Sequence, residues 1–334
     1  LWGCLTALLY APLLFADETK RSSGEALIVV GAGGTDEYLE SFRSSAQRWE
    51  QAFAGSIETT LIGMQAGKEA DSESGEQESD RQKVLNWIAK EPSSPSVERW
   101  LIFIGHGTYQ LNIAKFNLDG PDLSADELAK AIDSSQSPWR IFVCSSSSSP
   151  FIHALSGPNR ILITATKSGS EQNFSRFAEF MSQSIGDFSS DIDHDGKVSI
   201  LEAFLVASRS LSNWYIEDGR LASEQALLDD NGDKRGTPAS FFRGFRAAKA
   251  PADGLQLDGK FANRVFISKA PGTTELTQDQ ATRAAQIEEK IDAIRAQKSE
   301  MDEATYFAQL EPLMLELARL LVDPLPESSP ASIP

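Results

Sequence analysis

Two short apolar runs constrain what this chain can fold into. Trp100-Leu101-Ile102-Phe103-Ile104 stops at Gly105-His106-Gly107, and Trp139-Arg140-Ile141-Phe142-Val143-Cys144 stops at five serines, Ser145 to Ser149. A continuous apolar run that ends abruptly in small or reactive residues is the pattern of a strand buried on both faces of a parallel sheet. In an open α/β sheet the carboxyl ends of such strands border the ligand crevice. One end here delivers a histidine beside a glycine and the other a thiol, a general base next to a potential nucleophile.

The flanking sequence repeats the alternation of strand and helix. Ala26 to Val30 reads as a first strand entering Gly31-Ala32-Gly33-Gly34, and a helix is expected from Asp36 to Phe53, with Tyr38, Phe42, Trp49 and Phe53 as its core stripe. Ser56 to Ile62 is a second strand, and Arg81 to Ala89 a helix leading into the histidine strand. Ser124 with Glu127 three residues on is a capping box for the next helix. Arg160 to Thr166 reads as a strand, Glu171 to Ile185 as a helix and Arg264 to Lys269 as a late strand. A chain of 334 residues, 41% of them hydrophobic, has ample material for one large core. The pattern predicts an α/β fold with a mainly parallel sheet between layers of helices. The glycine turn lacks the full G-x-G-x-x-G spacing, so no dinucleotide site is expected there.

The two strand ends resemble the caspase-like and legumain-like cysteine peptidases, whose mark is His-Gly at the end of one strand and Cys at the end of its neighbour. The resemblance runs from about Ala26 to about Asp187 and is closest to secreted bacterial members. Ile104-Gly105-His106-Gly107-Thr108 and Ile161-Leu162-Ile163-Thr164-Ala165-Thr166 carry it best. It implies a three-layer caspase-like fold and a peptidase acting on a peptide or protein substrate. His106 would activate the Cys144 thiol, and the Gly107 N–H would help to stabilise the tetrahedral oxyanion. The family nucleophile sits in Cys-x-Ser-Gly, whereas Cys144 precedes Ser145-Ser146-Ser147 with no glycine. If the turn sets the register instead, Ser146 takes the nucleophile's position. Both registers stay open, and a catalytically inactive member of the same fold is the competing expectation.

A second feature lies beyond this region. Asp191, Asp193 and Asp195 stand at positions 1, 3 and 5 of an EF-hand loop, Gly196 at 6, Lys197 with its carbonyl at 7, Ser199 at 9 and Glu202 at 12. Calcium is the expected cofactor. A later stretch, Asp229, Asn231 and Asp233, has Lys234 at the glycine's place and Ser240 at the glutamate's, so it is not expected to form such a loop.

The formal charge of −17 excludes a nucleic-acid groove, which needs clustered Lys and Arg. Leu1 to Ala16 is uncharged and reads as the apolar core of a secretory signal peptide cut after Ala16, which predicts export and no membrane span afterwards. Cutting there removes Cys4 and leaves Cys144 as the lone thiol. The expected organisation is a signal peptide over 1–16, the caspase-like core over 17–187 and a calcium-loop segment with helices and a core-completing strand over 188–272. A helical hairpin over 273–323, available for self-association, precedes a disordered tail over 324–334.

Overall fold

The computed structural model describes residues 24–65, 78–92, 94–244, 246–247, 257–269 and 278–322. The expected signal peptide, most of the acid-rich stretch from Gln65 to Asp80, and the tail lie outside the described residues. Contacts divide the chain into a unit ending at Lys269 and another beginning at Ala270.

In the first unit, β1 (Gly24–Val30), α1 (Asp36–Phe53), β2 (Ile57–Ile62), α2 (Asp80–Ala89) and β3 (Glu98–Gly105) follow one another. A small antiparallel sheet of β4 (Gly107–Gln110), β5 (Ile113–Phe116) and β6 (Leu123–Ser124) comes next, then α3 (Ala125–Asp133), β7 (Trp139–Ser145), α4 (Pro150–Leu155) and β8 (Arg160–Thr164). After α5 (Phe177–Gly186) come β9 (Lys197–Ser199), α6 (Ile200–Glu217), β10 (Leu227–Asp229), β11 (Thr237–Pro238), the short pair β12 (Phe242–Arg243) and β13 (Arg246–Ala247), and β14 (Phe266–Lys269). The main sheet has the order β11-β10-β8-β7-β3-β1-β2. Strands β2, β1, β3, β7 and β8 are parallel, and β10 and β11 add an antiparallel edge.

Side chains alternate across β3, so Trp100, Ile102 and Ile104 pack with Phe42, Trp49, Phe53, Phe177 and Phe204 on the α1, α5 and α6 side. Leu101 and Phe103 pack with Val84, Ile88, Leu128, Ile132 and Phe151 on the α2, α3 and α4 side. Helices on both faces explain why these strands are apolar throughout rather than alternating.

One expected boundary needs correction, and two features of strand pairing were not foreseen. The helix expected from Glu171 begins only at Phe177, because residues 165–176 cross the strand ends and the α5 N-terminus is held by a distant carboxylate, described below. The late strand adds Val265 and Ile267 to the core as expected, but β14 pairs antiparallel with β9, following the Asp191 loop, and stays outside the main sheet. The stretch Thr108 to Ser124, for which no element was expected, folds into strands belonging to β4, β5 and β6.

In the second unit, α7 (Gln278–Ala296) and α8 (Glu303–Val322) pack as the expected hairpin, with Ile287 and Ile291 buried and Arg283 paired to Glu316. Among the described residues no helix is long and apolar enough to cross a membrane.

Candidate functional site

The β3–β7 ladder ends with Ile104 opposite Cys144 and Gly105 opposite Ser145. The pairing ends there, and beyond it Ser146 meets Gly107. His106 leaves the strand with Nε2 3.2 Å from the Gly33 carbonyl oxygen. A carbonyl only accepts, so Nε2 carries the proton and Nδ1 keeps its lone pair. The ring lies edge-on to Tyr38 and Phe42, with centroids 5.5 and 5.2 Å away, and Phe174 lies at 6.0 Å. Burial lowers its pKa below the ordinary 6.5 despite the Gly33 bond, so the ring is neutral at pH 7.

Cys144 sits one full side-chain repeat before Ser146. It is 1% exposed, within the cluster that contains Trp100, Phe142, Ile163 and Phe177. Burial, with a smaller contribution from the Glu224 charge, pushes the thiol pKa far above its ordinary value. A thiolate nucleophile requires the opposite shift. The register therefore sets Cys144 against Ile104, and no hydrogen bond or ring contact among the described residues joins it to His106.

Ser146 meets Gly107 twice. Its hydroxyl donates to the Gly107 carbonyl at 3.1 Å and accepts from the Gly107 N–H at 3.2 Å. That N–H is the one expected to stabilise an oxyanion, and here it is engaged. A Cβ on Gly107 would lie 2.4 Å from the Ser146 carbonyl oxygen, so the glycine is required where these two main chains cross.

The serine run is buried from Ser145 to Ser148. Ser148 Oγ accepts from the N–H groups of Ala165 and Thr166, at 3.0 and 3.1 Å. Thr166 Oγ1 accepts in turn from the N–H groups of Ser148 and Ser149, at 2.8 and 3.1 Å. Ser147 takes φ 52°, and its hydroxyl is buried without a partner.

Residues 167–174 cover this centre. The Ser147 N–H donates to the Glu171 carbonyl at 2.8 Å, and Phe174 stacks on Tyr38 at 4.4 Å. Gly169 lies flush on the Tyr109 ring, where a Cβ would come within 2.2 Å. Glu224 anchors the far end of the cover by accepting from the Ser175 hydroxyl, the Arg176 and Phe177 N–H groups and the Tyr215 hydroxyl. Sequence reasoning placed Thr166 in a motif without its role and missed Glu171 and Glu224, which belong to no motif; a lone glutamate between apolar segments was the only available signal for Glu224. The other histidines, His153 on α4 and His194 in the Asp191 loop, are exposed and away from this centre.

At the Asp191 loop, carboxylate oxygens of Asp191, Asp193 and Asp195 lie within 4.8 Å of one another. Asp193 reaches solvent, yet partial burial followed by the charges of Asp195 and Glu202 pushes its pKa up to about 6. An oxygen-only donor set with crowded negative charge suits a hard divalent cation. Glu202 does not join that cluster. Its Oε1 accepts from the N–H groups of Ile192 and Asp193, at 2.8 and 3.2 Å, and its Oε2 from the N–H and hydroxyl of Ser199, at 2.9 and 2.8 Å. Ser199 thereby caps α6 instead of facing the three aspartates.

Fold and sites together define an α/β protein with a mostly parallel sheet, a covered His-Gly strand end and an acidic loop able to hold a metal. No model of a known protein family matches the chain, and no curated protein is similar to it in sequence.

Proposed function

We propose that this chain is a calcium-stabilised binding module on a caspase-like α/β fold, with a silent hydrolytic centre. The observation that carries this reading is the closure of the Ser146 hydroxyl on both main-chain groups of Gly107. One pair of bonds engages both the nucleophile's position and the oxyanion donor, and residues 167–174 pack alongside through Glu171 on Ser147 and Phe174 on Tyr38. The cysteine-peptidase reading through His106 and Cys144 requires a reactive thiolate from a buried side chain one residue before the strand's end. The geometry favours the silent reading over it.

A serine hydrolase is the second reading. It draws on the bonds that hold Ser146 against Gly107, the residue after His106, and on the tautomer that leaves Nδ1 basic. It requires the hydroxyl to leave Gly107 when substrate enters.

Calcium would be held by Asp191, Asp193 and Asp195 with the Lys197 carbonyl, Ser199 standing at position 9 and Glu202 giving up its main-chain bonds to complete the set. Bound ion stabilises the native state by RT ln(1 + [L]/Kd), about 2.7 kcal/mol at a hundredfold excess over Kd. With Leu1 to Ala16 as an export signal, the module works outside the cytoplasm, where calcium is abundant. A cleft of about 520 Å3 beside α6, with Lys167, Arg209, Asn213 and Gln225 on its walls and Leu205 and Leu211 on its floor, is where we place a peptide segment of the partner.

The test is incubation with a diverse peptide library at saturating Ca2+, read by mass spectrometry. The expected result is no cleavage beyond that of Ser146→Ala. Cleavage that disappears in His106→Ala overturns the silent reading, and its survival or loss in Cys144→Ala and Ser146→Ala separates the two catalytic readings.

A further inference from the structure

The loop that follows β10 repeats the hydrogen bonds that the third and fifth residues of the Asp191 loop accept, although its sequence breaks the motif and its first carboxylate bonds differently, Asp191 accepting from Asp195 and Gly196 and Asp229 from Gly232. In the first loop Asp193 Oδ1 accepts from the Asp195 N–H at 3.2 Å, and Asp195 Oδ1 from the Lys197 N–H at 2.8 Å. In the second, Asn231 Oδ1 accepts from the Asp233 N–H and Asp233 Oδ1 from the Arg235 N–H, both at 2.8 Å. Positive φ falls at matching places, 60° and 82° at His194 and Gly196, then 76° and 66° at Gly232 and Lys234. Lys234 thus adopts the backbone that the motif assigns to glycine.

The missing glutamate has a counterpart from another segment. Glu202 clasps its loop by accepting from the N–H groups of Ile192 and Asp193 and from the Ser199 hydroxyl. Asp258 makes the equivalent clasp, accepting from the N–H groups of Asp230 and Asn231, at 2.9 and 3.3 Å, and from the Thr237 hydroxyl at 2.5 Å. These are the same loop positions, served by a carboxylate distant in sequence.

Loop shape alone does not make a site; the independent observation is Asp229. Its side chain is 1% exposed, and its Oδ1 accepts from the Gly232 N–H at 3.1 Å, which turns the carboxylate into the loop. Its Oδ2 is buried with no hydrogen-bond partner. The Ser156 hydroxyl lies near enough to this carboxyl to favour its charged form and accepts from the Lys234 N–H at 3.1 Å, but it makes no well-formed hydrogen bond to Oδ2. A buried carboxylate oxygen left unsatisfied is costly, and a cation removes that cost where no donor is at hand.

We propose that Asp229, Asn231 and Asp233, with the main-chain carbonyl of Arg235, form a second calcium site, closed by Asp258 in the role that Glu202 plays in the first. The donors are all hard oxygens on an adaptable loop, which suits Ca2+ better than the small, strictly octahedral Mg2+. The site explains why the antiparallel edge of the sheet holds a distant segment. Asp230, inside the loop, accepts from the N–H groups of Gly259, Phe261 and Ala262. The same segment runs into β14, which pairs with β9 beside the first loop. Two ions would fasten residues 258–269 from both sides, one through Asp258 and Asp230, the other through β9.

The proposal goes beyond the function proposed above, and calorimetry with Ca2+ alone on the full, metal-stripped chain separates the two. Asp193→Asn/Asp195→Asn disables only the first loop, and this variant, folded by circular dichroism, is expected to retain about one equivalent of Ca2+. Adding Asp233→Asn is expected to weaken that remaining binding at least about tenfold. Asp233→Asn alone is expected to remove one event from the wild-type isotherm and leave the other. Absence of Ca2+ binding in the first-loop variant, or residual binding indifferent to Asp233→Asn, overturns the second site. Wild-type binding that depends on Asp233 and not on Asp193 or Asp195 supports it while removing calcium from the first loop.

Discussion

His106 is held by one carbonyl and three aromatic rings, and its titration reports that enclosure. The unfolded ring takes its proton near 6.5, and the folded ring only at lower pH. Between those two values the unfolded chain holds more protons, so stability falls as pH drops. Urea midpoints measured from about pH 7.5 down to about pH 5 are therefore expected to fall less steeply for His106→Gln than for wild type. Parallel slopes would place the ring in water. The histidine and its glycine were legible in the sequence because an abrupt end to an apolar run is a strong local signal. The nucleophile's register was not, because period-two alternation leaves Cys144 and Ser146 on the same face and only the strand pairing chooses between them. The burial of the serine run was not legible for a related reason: its partner is Thr166, just past the end of the neighbouring strand β8, which no local pattern announces.

Among the elements, those with local signals agree with expectation. α1 spans Asp36–Phe53 as its aromatic stripe predicts, and α3 starts on the Ser124–Glu127 capping box, with both reciprocal bonds present. α5 does not agree. Phe174 continues the helical spacing of Phe177, Phe180 and Met181, but its ring stacks on Tyr38 near His106, and the helix waits for the N–H groups that Glu224 receives. An acidic group at a helix N-terminus satisfies donors that the helix cannot satisfy itself. Glu224→Ala strands those N–H groups and the Ser175 and Tyr215 hydroxyls, and is expected to cost about 3 kcal/mol in chemical denaturation. A loss under about 0.5 kcal/mol would mean that water replaces the carboxylate without penalty.

In the first unit as a whole, acidic loops stand outside a sheet whose carboxyl edge is closed. The alternation of apolar runs and helices made the mainly parallel sheet readable. The antiparallel edge of β10 and β11 was not, since Leu227–Asp229 and Thr237–Pro238 are too short to carry a period. The first acidic loop was visible as a contiguous motif; the second was hidden because Asp258 comes from a separate segment. The central claim is that this strand-end centre does not react, and native-state labelling tests it most directly. The intact protein at neutral pH with Ca2+ is treated with iodoacetamide and, separately, with a fluorophosphonate, and Cys144 and Ser146 are read by peptide mass spectrometry. The account predicts that neither residue is modified in the native protein and that Cys144 becomes alkylated only on unfolding. Rapid native labelling of Cys144 or Ser146 that is lost in His106→Ala would contradict it.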